Sequence, residues 1–326
     1  MFVDEPVTDP ALLRTLTAAG LPTTGRFVPK AGWVSRVWVG DEYVVRLSNG
    51  RFRDAYRHEA AVGNLLADSE VPHARILAHG DGLDGPWCVS ERLPGRTLYE
   101  VWPTADSTTR QAMIESLGHA LRALHRVPVP AGLLPPWLAD ALAGKPWPAF
   151  HPPVVSAALQ LVEAARRLPG HDPRLLADVA DWIQERLALF AADEHVLVHG
   201  DLHGSNVIVD QGRVTGLIDF AEALAQPADL ELDIILRWCA KAREFPPTPG
   251  ERGLDEATLA EVPGWLHGAY PELFEREHLR ERLHFYDMYE VLALYAHHHR
   301  PDVREAAQDR MARLLAGHSH LDGLVW

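Results

Sequence analysis

The chain has 326 residues, a length that favours two lobes over a single compact core. Its 31 basic residues face 45 acidic ones, so the formal charge is −14, which argues against a nucleic-acid partner because phosphate backbones need a basic face. No apolar run is long enough to span a bilayer, and the acidic start MFVDEPVTDP is unlike a signal peptide. Two cysteines cannot form a disulfide framework. We therefore expect a cytoplasmic protein that contacts neither nucleic acid nor membrane.

The N-terminal part of the chain has the pattern of a small antiparallel sheet. A short capped helix precedes three alternating strands, and a second helix and two further strands follow. In chain order these segments cover residues 8–20, 25–48 with breaks near 31–35 and 40–42, 53–67, 74–80 and 86–93. The order predicts a five-stranded sheet with one main helix.

Beyond this region helical periodicity dominates. Helices are expected at residues 106–126, 154–168, 174–192, 229–243, 280–297 and 302–316. Three short strand-like segments lie between the third and fourth of these helices, at 195–198, 206–210 and 213–220. We therefore predict an α+β fold of two lobes, with a small antiparallel-sheet lobe at residues 1–93 and a larger, mostly helical lobe at 94–326.

A polar motif interrupts the strand-like segments in VLVHGDLHGSNVIVD, residues 196–210. Asp201 and Asn206 have the spacing Asp-x-x-x-x-Asn, and Asp219 ends the next strand-like segment. In kinase catalytic loops this aspartate accepts the proton of the attacking hydroxyl, while the asparagine and a later aspartate bind magnesium. The combination suits phosphoryl transfer, which depends on positioning and charge neutralisation. A polar turn between two buried strands is the alternative interpretation.

The segments HGDLHGSNVIVD and GLIDFAEA together resemble the signature of the aminoglycoside phosphotransferase family, which has choline- and homoserine-kinase-like relatives. The resemblance implies a protein-kinase-like fold and transfer of a phosphoryl group from ATP, or sometimes GTP, to a hydroxyl of a small molecule. By this resemblance Asp201 would be the catalytic base, Asn206 and Asp219 would bind Mg²⁺, and His199 would brace the loop. No Ala-Pro-Glu motif follows Asp219, which favours a small-molecule acceptor.

The expected N-terminal lobe carries candidates for binding phosphate. Arg46 in YVVRLS and Glu59 in the following helix stand where a kinase has its lysine and glutamate pair. Arginine in place of lysine keeps the charge and can bind phosphate oxygens with two N–H groups. A surface Arg–Glu pair is the alternative. The phosphate-covering loop would lie in PKAGWVSRV, with Gly32 and Ser35 as its contributors.

Two further sets of contacts follow from the resemblance. The segment that leaves the sheet would bind adenine through the backbone carbonyl of Ser90 and the backbone amide of Arg92. Charged residues after Asp219 are candidates for recognising an amine-bearing acceptor, although acidic residues also favour the start of any helix. These acceptor candidates are Glu222, Glu231, Asp233 and Arg237. The family's usual Gly-Asp-Pro is Ala-Gln-Pro here, so the matching of residues is looser in this segment.

The expected function is Mg²⁺- and ATP-dependent phosphorylation of a small-molecule hydroxyl, most simply that of an antibiotic such as an aminoglycoside, which would inactivate the drug. A metabolite kinase with a choline-, homoserine- or sugar-like acceptor is one alternative. A nucleotide-binding pseudokinase module is another, and its only support is Arg46. The sequence does not distinguish ATP from GTP, and it does not predict an oligomeric state.

Overall fold

The computed structural model describes residues 6–32, 35–48, 54–145, 153–191, 194–242 and 254–326. A five-stranded antiparallel sheet in the order β1-β2-β3-β5-β4 forms its N-terminal part. The strands are β1 (Val28–Ala31), β2 (Ser35–Val39), β3 (Tyr43–Ser48), β4 (Ile76–Gly82) and β5 (Gly85–Glu91). Two helices accompany the sheet, α1 (Pro10–Ala18) and α2 (Ala55–Leu66). All five predicted strands and both predicted helices are therefore present.

Alternating apolar residues give the sheet a core of its own. Val45 and Leu47 of β3 are buried on the face covered by α1, where they pack with Leu12 and Leu16. Asp9 caps α1, because its carboxylate accepts hydrogen bonds from the two backbone amides that begin the helix. This cluster is separate from the large apolar core of the remaining chain.

Helices with two small sheets between them form the rest of the chain. The helices are α3 (Leu98–Val101), α4 (Ser107–Leu124), α5 (Pro136–Leu142), α6 (Ala158–Arg166), α7 (Pro173–Arg186), α8 (Asp229–Ala240), α9 (Val262–Ala269), α10 (Leu279–His297) and α11 (Pro301–Leu315). The strands are β6 (Arg96–Thr97), β7 (Val196–Val198), β8 (Val207–Asp210), β9 (Arg213–Leu217) and β10 (Leu224–Gln226). Strands β6, β8 and β9 form one sheet, and β7 pairs with β10.

Five of these elements were not predicted: α3, α5, α9, β6 and β10. Their shortness is the physical reason, since β6 has 2 residues and β10 has 3, too few to show a period. All six predicted C-terminal helices and all three short strands are present. The segment 154–168 begins with a 3₁₀ turn before α6, and α7 ends in another.

The segment between β5 and β6 packs tightly against the larger part of the chain. Gly95 has a φ of +109°, and a Cβ at this position would lie 2.2 Å from the carbonyl oxygen of Val209 in β8. Only glycine fits such an approach. The ion pair of Lys30 with Glu100 (2.7 Å) and the contact of His58 Nε2 with the Ala223 carbonyl (2.6 Å) also join the two parts. The predicted boundary at residues 93 and 94 falls between β5 and β6, and it stays a prediction.

Within the part of the chain that the structure describes, no helix combines the length and the apolar character needed to cross a bilayer.

Candidate active site

The polar motif folds into the loop that joins β7 to β8. Gly200 in this loop has a φ of +81°, and a Cβ there would lie 2.4 Å from the carbonyl oxygen of Glu222. The loop therefore turns in a left-handed conformation against the segment after β9, a turn that needs glycine. This turn brings Asp201 close to Asp219, although 18 residues separate them in sequence (219 minus 201).

His199 braces the loop, as the resemblance implies. Its ring is fully buried beside Phe220, with Nε2 2.9 Å from the carbonyl oxygen of Ile218. The backbone amide of Asp201 donates to Nδ1 at 3.4 Å, so Nε2 carries the proton and donates to Ile218. Burial lowers the pKa of His199 to about 4. The imidazole is therefore neutral and serves to hold Asp201 in place.

Glu231, at the start of α8, accepts a hydrogen bond from the backbone of the same loop. It is fully buried, and its Oε2 accepts a hydrogen bond of 2.5 Å from the backbone amide of His199. Burial raises the pKa of Glu231 to about 8, partly offset by the hydrogen bonds from the backbone of His199 and Gly200. Glu231 is thus mainly protonated at neutral pH and acts as an uncharged acceptor.

This protonation state makes a testable prediction for Glu231→Gln, which keeps an acceptor oxygen. The folded pKa of Glu231, about 8, lies above the ordinary value of 4.5. Its stabilising contribution is therefore complete below pH 4.5 and is lost as the pH rises towards 8. Urea unfolding at several pH values should show the glutamine variant gaining stability relative to wild type over this window. Glu231→Ala should be less stable than Glu231→Gln by about 1–3 kcal/mol at any pH, because the His199 amide then has no acceptor. Parallel curves for wild type and Glu231→Gln would contradict the assignment.

Asp201 and Asn206 meet across the loop. The side-chain amide of Asn206 donates to the backbone carbonyl of Asp201 (2.8 Å) and, at 3.3 Å, to its carboxylate. His203 Nε2 lies 3.7 Å from the same carboxylate. The Asp201 side chain keeps 47% exposure. The surrounding protein nonetheless desolvates its carboxylate, and Asp219 adds a like charge, so the pKa of Asp201 is raised.

Arg46 connects the sheet to the loop after β9. Its guanidinium lies 2.6 Å from the carboxylate of Glu59 in α2 and 3.1 Å from that of Asp219. Burial alone would lower the pKa of Arg46, but Glu59 and Asp219 raise it above its ordinary value. The pair predicted from sequence is therefore formed, and the same guanidinium also reaches Asp219.

Tyr56 was not predicted and lies in the same cluster. Arg46 stacks over its ring at 5.1 Å, and its hydroxyl lies 2.7 Å from the Ser35 hydroxyl. Burial raises the pKa of Tyr56 to about 12, so the hydroxyl stays protonated. The three-residue spacing of Tyr56 from Glu59, which places both on one face of α2, is the signal that could have revealed it. Gly32 and Ser35 flank the expected phosphate-covering loop, whose residues 33–34 lie outside the described residues.

The structure bears on the predicted adenine contact of Arg92, whereas that of the Ser90 carbonyl stays a prediction. Ser90 lies in β5 opposite Val44 of β3. The backbone amide of Arg92 donates to the carbonyl oxygen of Glu42 at 2.9 Å, and its guanidinium donates to the carbonyl oxygen of Gly40. The assignment of the Arg92 amide to adenine is therefore corrected, because strand pairing uses that amide within the sheet.

The acceptor candidates divide into two groups. Glu222 lies beside the catalytic loop, and its Oε2 is buried with no hydrogen-bond partner among the described residues. Burial, followed by the charges of Asp201 and Asp219, raises the pKa of Glu222 well above its ordinary value. Among the acceptor candidates in the described residues, Glu222 is the one whose carboxyl is affected by both Asp201 and Asp219.

The other three candidates, Glu231, Asp233 and Arg237, lie in the protein interior. Asp233 is fully buried and pairs with Arg237, which also pairs with Glu290. Glu231 is occupied by the His199 amide. These positions are corrected from acceptor contacts to structural ones, because α8 packs between α9 and α10 and turns these side chains away from solvent.

Asn206 and Asp219 fit a magnesium site. The amide nitrogen of Asn206 is used by Asp201, which leaves Oδ1 as the group available to a cation. Asp219 offers a half-exposed carboxylate held by a left-handed backbone with a φ of 66°. Mg²⁺ prefers such hard oxygen ligands and completes its shell with water and phosphate oxygens.

Comparisons with known proteins agree with this geometry. Residues 28–270 match the model of the APH family, described as a phosphotransferase enzyme family. An aminoglycoside 3'-phosphotransferase of Escherichia coli is 24% identical over 176 residues, 54% of this chain and 59% of that protein. The matched segment thus spans little more than half of the relative's length.

Solved structures show the same fold. The ADP-bound aminoglycoside phosphotransferase APH(2'')-Ib superposes with a TM-score of 0.63 at 16% identity, covering 98% of this chain and 100% of that one. APH(4)-Ia, solved as a ternary complex with ADP and hygromycin B, gives a TM-score of 0.62 at 17% identity, covering 94% and 98%.

The bilobal kinase-like fold is therefore confirmed, and with it the α+β class. The chain belongs to the APH phosphotransferase enzyme family, because the family model covers most of its length. The resemblance read from residues 196–222 is confirmed.

Proposed function

We propose that this protein transfers the γ-phosphoryl group of ATP to a hydroxyl of a small molecule, with an aminoglycoside as the favoured acceptor. The observation that carries the proposal is the meeting of Asp201, Asp219 and Arg46 where β3 of the sheet lies against the segment after β9. A base, a metal ligand and a phosphate-binding cation are the parts that phosphoryl transfer requires. Retention of Asp201, Asn206 and Asp219 together argues against a pseudokinase.

Each residue then has a defined task. Asp201 accepts the proton of the acceptor hydroxyl and orients that oxygen towards the phosphorus. Asn206 Oδ1 and the Asp219 carboxylate hold Mg²⁺, which neutralises phosphate charge when it is bound. Arg46, anchored by Glu59, directs a guanidinium N–H towards phosphate oxygens. His199 and Glu231 keep the loop in this arrangement.

Glu222 supports an amine-bearing acceptor. Its buried oxygen lacks a partner among the described residues, and an ammonium or hydroxyl of the acceptor would supply one. Structures of family members with hygromycin B, streptomycin and gentamicin show that such acceptors bind to this fold. A metabolite kinase is the second candidate, since Ala-Gln-Pro replaces the family's Gly-Asp-Pro beside this site.

An acceptor panel tests the proposal. ADP release from Mg·ATP, and separately from Mg·GTP, would be measured with hygromycin B, streptomycin, gentamicin, choline, homoserine and simple sugars. The proposal expects acceptor-dependent release with at least one aminoglycoside. Release only with a metabolite would favour the second candidate. Absence of release with every acceptor, together with intact nucleotide binding, would favour a pseudokinase.

Nucleotide binding should depend on magnesium. We expect ATP to stabilise the protein weakly alone and clearly with Mg²⁺, because Asn206 and Asp219 contact the nucleotide through the ion. At a ligand concentration of a hundred times Kd, binding adds about 2.7 kcal/mol to the free energy of unfolding. A thermal-shift titration with and without Mg²⁺ measures it. An unchanged melting temperature with both present would contradict every nucleotide-dependent reading.

Arg46 should be essential for nucleotide use and replaceable by lysine. Arg46→Ala removes the phosphate contact and leaves Glu59 buried without its partner, so both affinity and stability should fall, the latter by about 3–5 kcal/mol. Arg46→Lys should keep much of the activity. The double variant Arg46→Ala/Glu59→Gln separates the two effects, because it removes the unpaired charge without restoring the phosphate contact. If calorimetry shows wild-type ATP affinity in Arg46→Ala, Arg46 does not bind phosphate and its pair with Glu59 is only structural.

A further inference from the structure

The chain after α11 returns to the protein interior at His320. The imidazole is fully buried, with Nε2 3.2 Å from a carboxylate oxygen of Asp233 in α8 and Nδ1 3.1 Å from one of Asp287 in α10. The backbone amide of His320 also donates to Asp287. Each ring nitrogen faces an acidic oxygen, and a neutral imidazole has only one N–H. An imidazolium, which has an N–H at each ring nitrogen, fits this position between two carboxyl groups better than a neutral ring does.

Charged and titratable groups surround the His320 ring on every packed element. They are Asp233 and Arg237 of α8, Lys241 after it, His284, Asp287 and Glu290 of α10, and Arg310 of α11. Burial alone would lower the pKa of His320, but Asp233 and Asp287 raise it above its ordinary value. Burial alone would raise the pKa of Asp287, but His320, Arg237 and Lys241 hold it well below. Both directions agree with a charged ring beside an ionised Asp287.

Helix α8 connects this buried cluster to the catalytic loop. Asp233 and Glu231 are two residues apart on the helix, and Glu231 binds the backbone amide of His199. The side chains of α8 are buried from Asp229 to Cys239, so the helix has no exposed face along which it can adjust alone. A displacement of α8 would therefore move Glu231 and with it the loop that carries Asp201.

We propose that His320 is a positioning residue, whose imidazolium pins α8 against α10 and thereby holds the catalytic loop through Glu231. The inference rests on the proposed catalytic role of residues 199–206. Without the imidazolium, Asp233 keeps Arg237 and Asp287 keeps Lys241 and Arg310, but the cation that contacts both carboxyl groups is lost in an environment that screens charge poorly. The C-terminal segment is thus part of the support of the active site, although His320 follows Asp201 by 119 residues (320 minus 201).

The proposal predicts the direction in which the stabilising contribution of His320 changes with pH. Because the folded pKa of His320 lies above its ordinary value of 6.5, its stabilising contribution is complete below that value. The contribution is lost as the pH rises through the folded pKa. The catalytic loop should therefore loosen as the pH rises above 6.5 and through the folded pKa of His320.

His320→Gln tests the role of the charge, with His318→Gln as the matched control. His318 lies in the same segment, but its side chain is 69% exposed. Hydrogen–deuterium exchange of the whole protein should quicken at residues 197–206 in His320→Gln and stay at the wild-type rate in His318→Gln. With an acceptor from the panel, kcat should fall by about ten- to a hundredfold while KM for Mg·ATP changes little, because a small misplacement of catalytic groups is felt mainly in turnover.

Further measurements keep the test decisive if the single variant folds poorly. The double variant His320→Gln/Asp287→Asn removes one acidic charge and should restore slow exchange in the catalytic loop. In the wild-type protein, the NMR shifts of the His320 ring should be those of an imidazolium at neutral pH. A neutral ring, or wild-type exchange at residues 197–206 in folded His320→Gln, would overturn the proposal. The exchange and NMR measurements need no substrate, so their outcome is independent of whether the proposed reaction is found.

Discussion

Asp201→Asn is expected to reduce turnover by about 10²–10⁴-fold, the usual contribution of a general base, while the affinity for Mg·ATP barely changes. Asparagine keeps the shape of the side chain and removes its capacity to accept a proton. The backbone carbonyl of Asp201, which anchors Asn206, is unaffected by the substitution. Single-turnover rates with an acceptor, measured beside calorimetric nucleotide affinities, give both quantities.

A matched control separates this effect from a general loss of negative charge. Asp210→Asn makes the same change at the far end of β8, outside the catalytic loop, and should leave turnover near the wild-type value. Equal rates for Asp201→Asn and Asp210→Asn would refute the assignment of Asp201 as the base. Loss of nucleotide affinity in Asp201→Asn would place that residue in metal binding instead.

Asp219→Asn should impair Mg·ATP binding as well as turnover. The substitution removes the charge of a magnesium ligand, and an affinity loss of about ten- to a hundredfold corresponds to about 1.4–2.8 kcal/mol. Asparagine is also among the few residues that tolerate the left-handed backbone at this position, so the fold should be preserved. Calorimetric titration of ATP at several Mg²⁺ concentrations measures the loss.

The metal-free protein provides the control for Asp219. Arg46 contacts both Asp219 and Glu59, and Asp219→Asn leaves the Glu59 pair in place. Without Mg²⁺ the variant should therefore melt close to wild type, and the difference should emerge as Mg·ATP is added. Wild-type affinity for Mg·ATP in Asp219→Asn would rule out its role as a metal ligand.

Local spacing made the catalytic part of this site predictable. Asp201, Asn206 and Asp219 occupy one loop and the end of the adjoining hairpin, so their separations in sequence already constrain their separations in space. The Arg46–Glu59 pair was also predictable, because the two residues stand on the third strand and the following helix, where a kinase has its lysine and glutamate. Contacts made within one or two neighbouring elements leave a pattern in the sequence.

Tertiary packing decided the features that sequence could not reveal. Glu231, Asp233 and Arg237 have the composition of a charged surface, and only the packing of α8 against α9 and α10 shows that they are buried. Similarly, the amide of Arg92 has no side-chain signature, and its partner Glu42 is set by strand pairing. Sequence pattern records the period of an element, whereas burial depends on what covers it.

The close approach of Gly95 to Val209 has a mechanical consequence. The hairpin of β8 and β9 begins just after Asn206 and ends just before Asp219, the two proposed metal ligands. Gly95, in the segment that joins the lobes, packs on β8, the strand that follows Asn206. Rocking of the sheet lobe about this segment would press on the hairpin and alter the spacing of the two ligands. Any change in the packing of the sheet lobe at Gly95 would therefore reach both residues that would hold the metal.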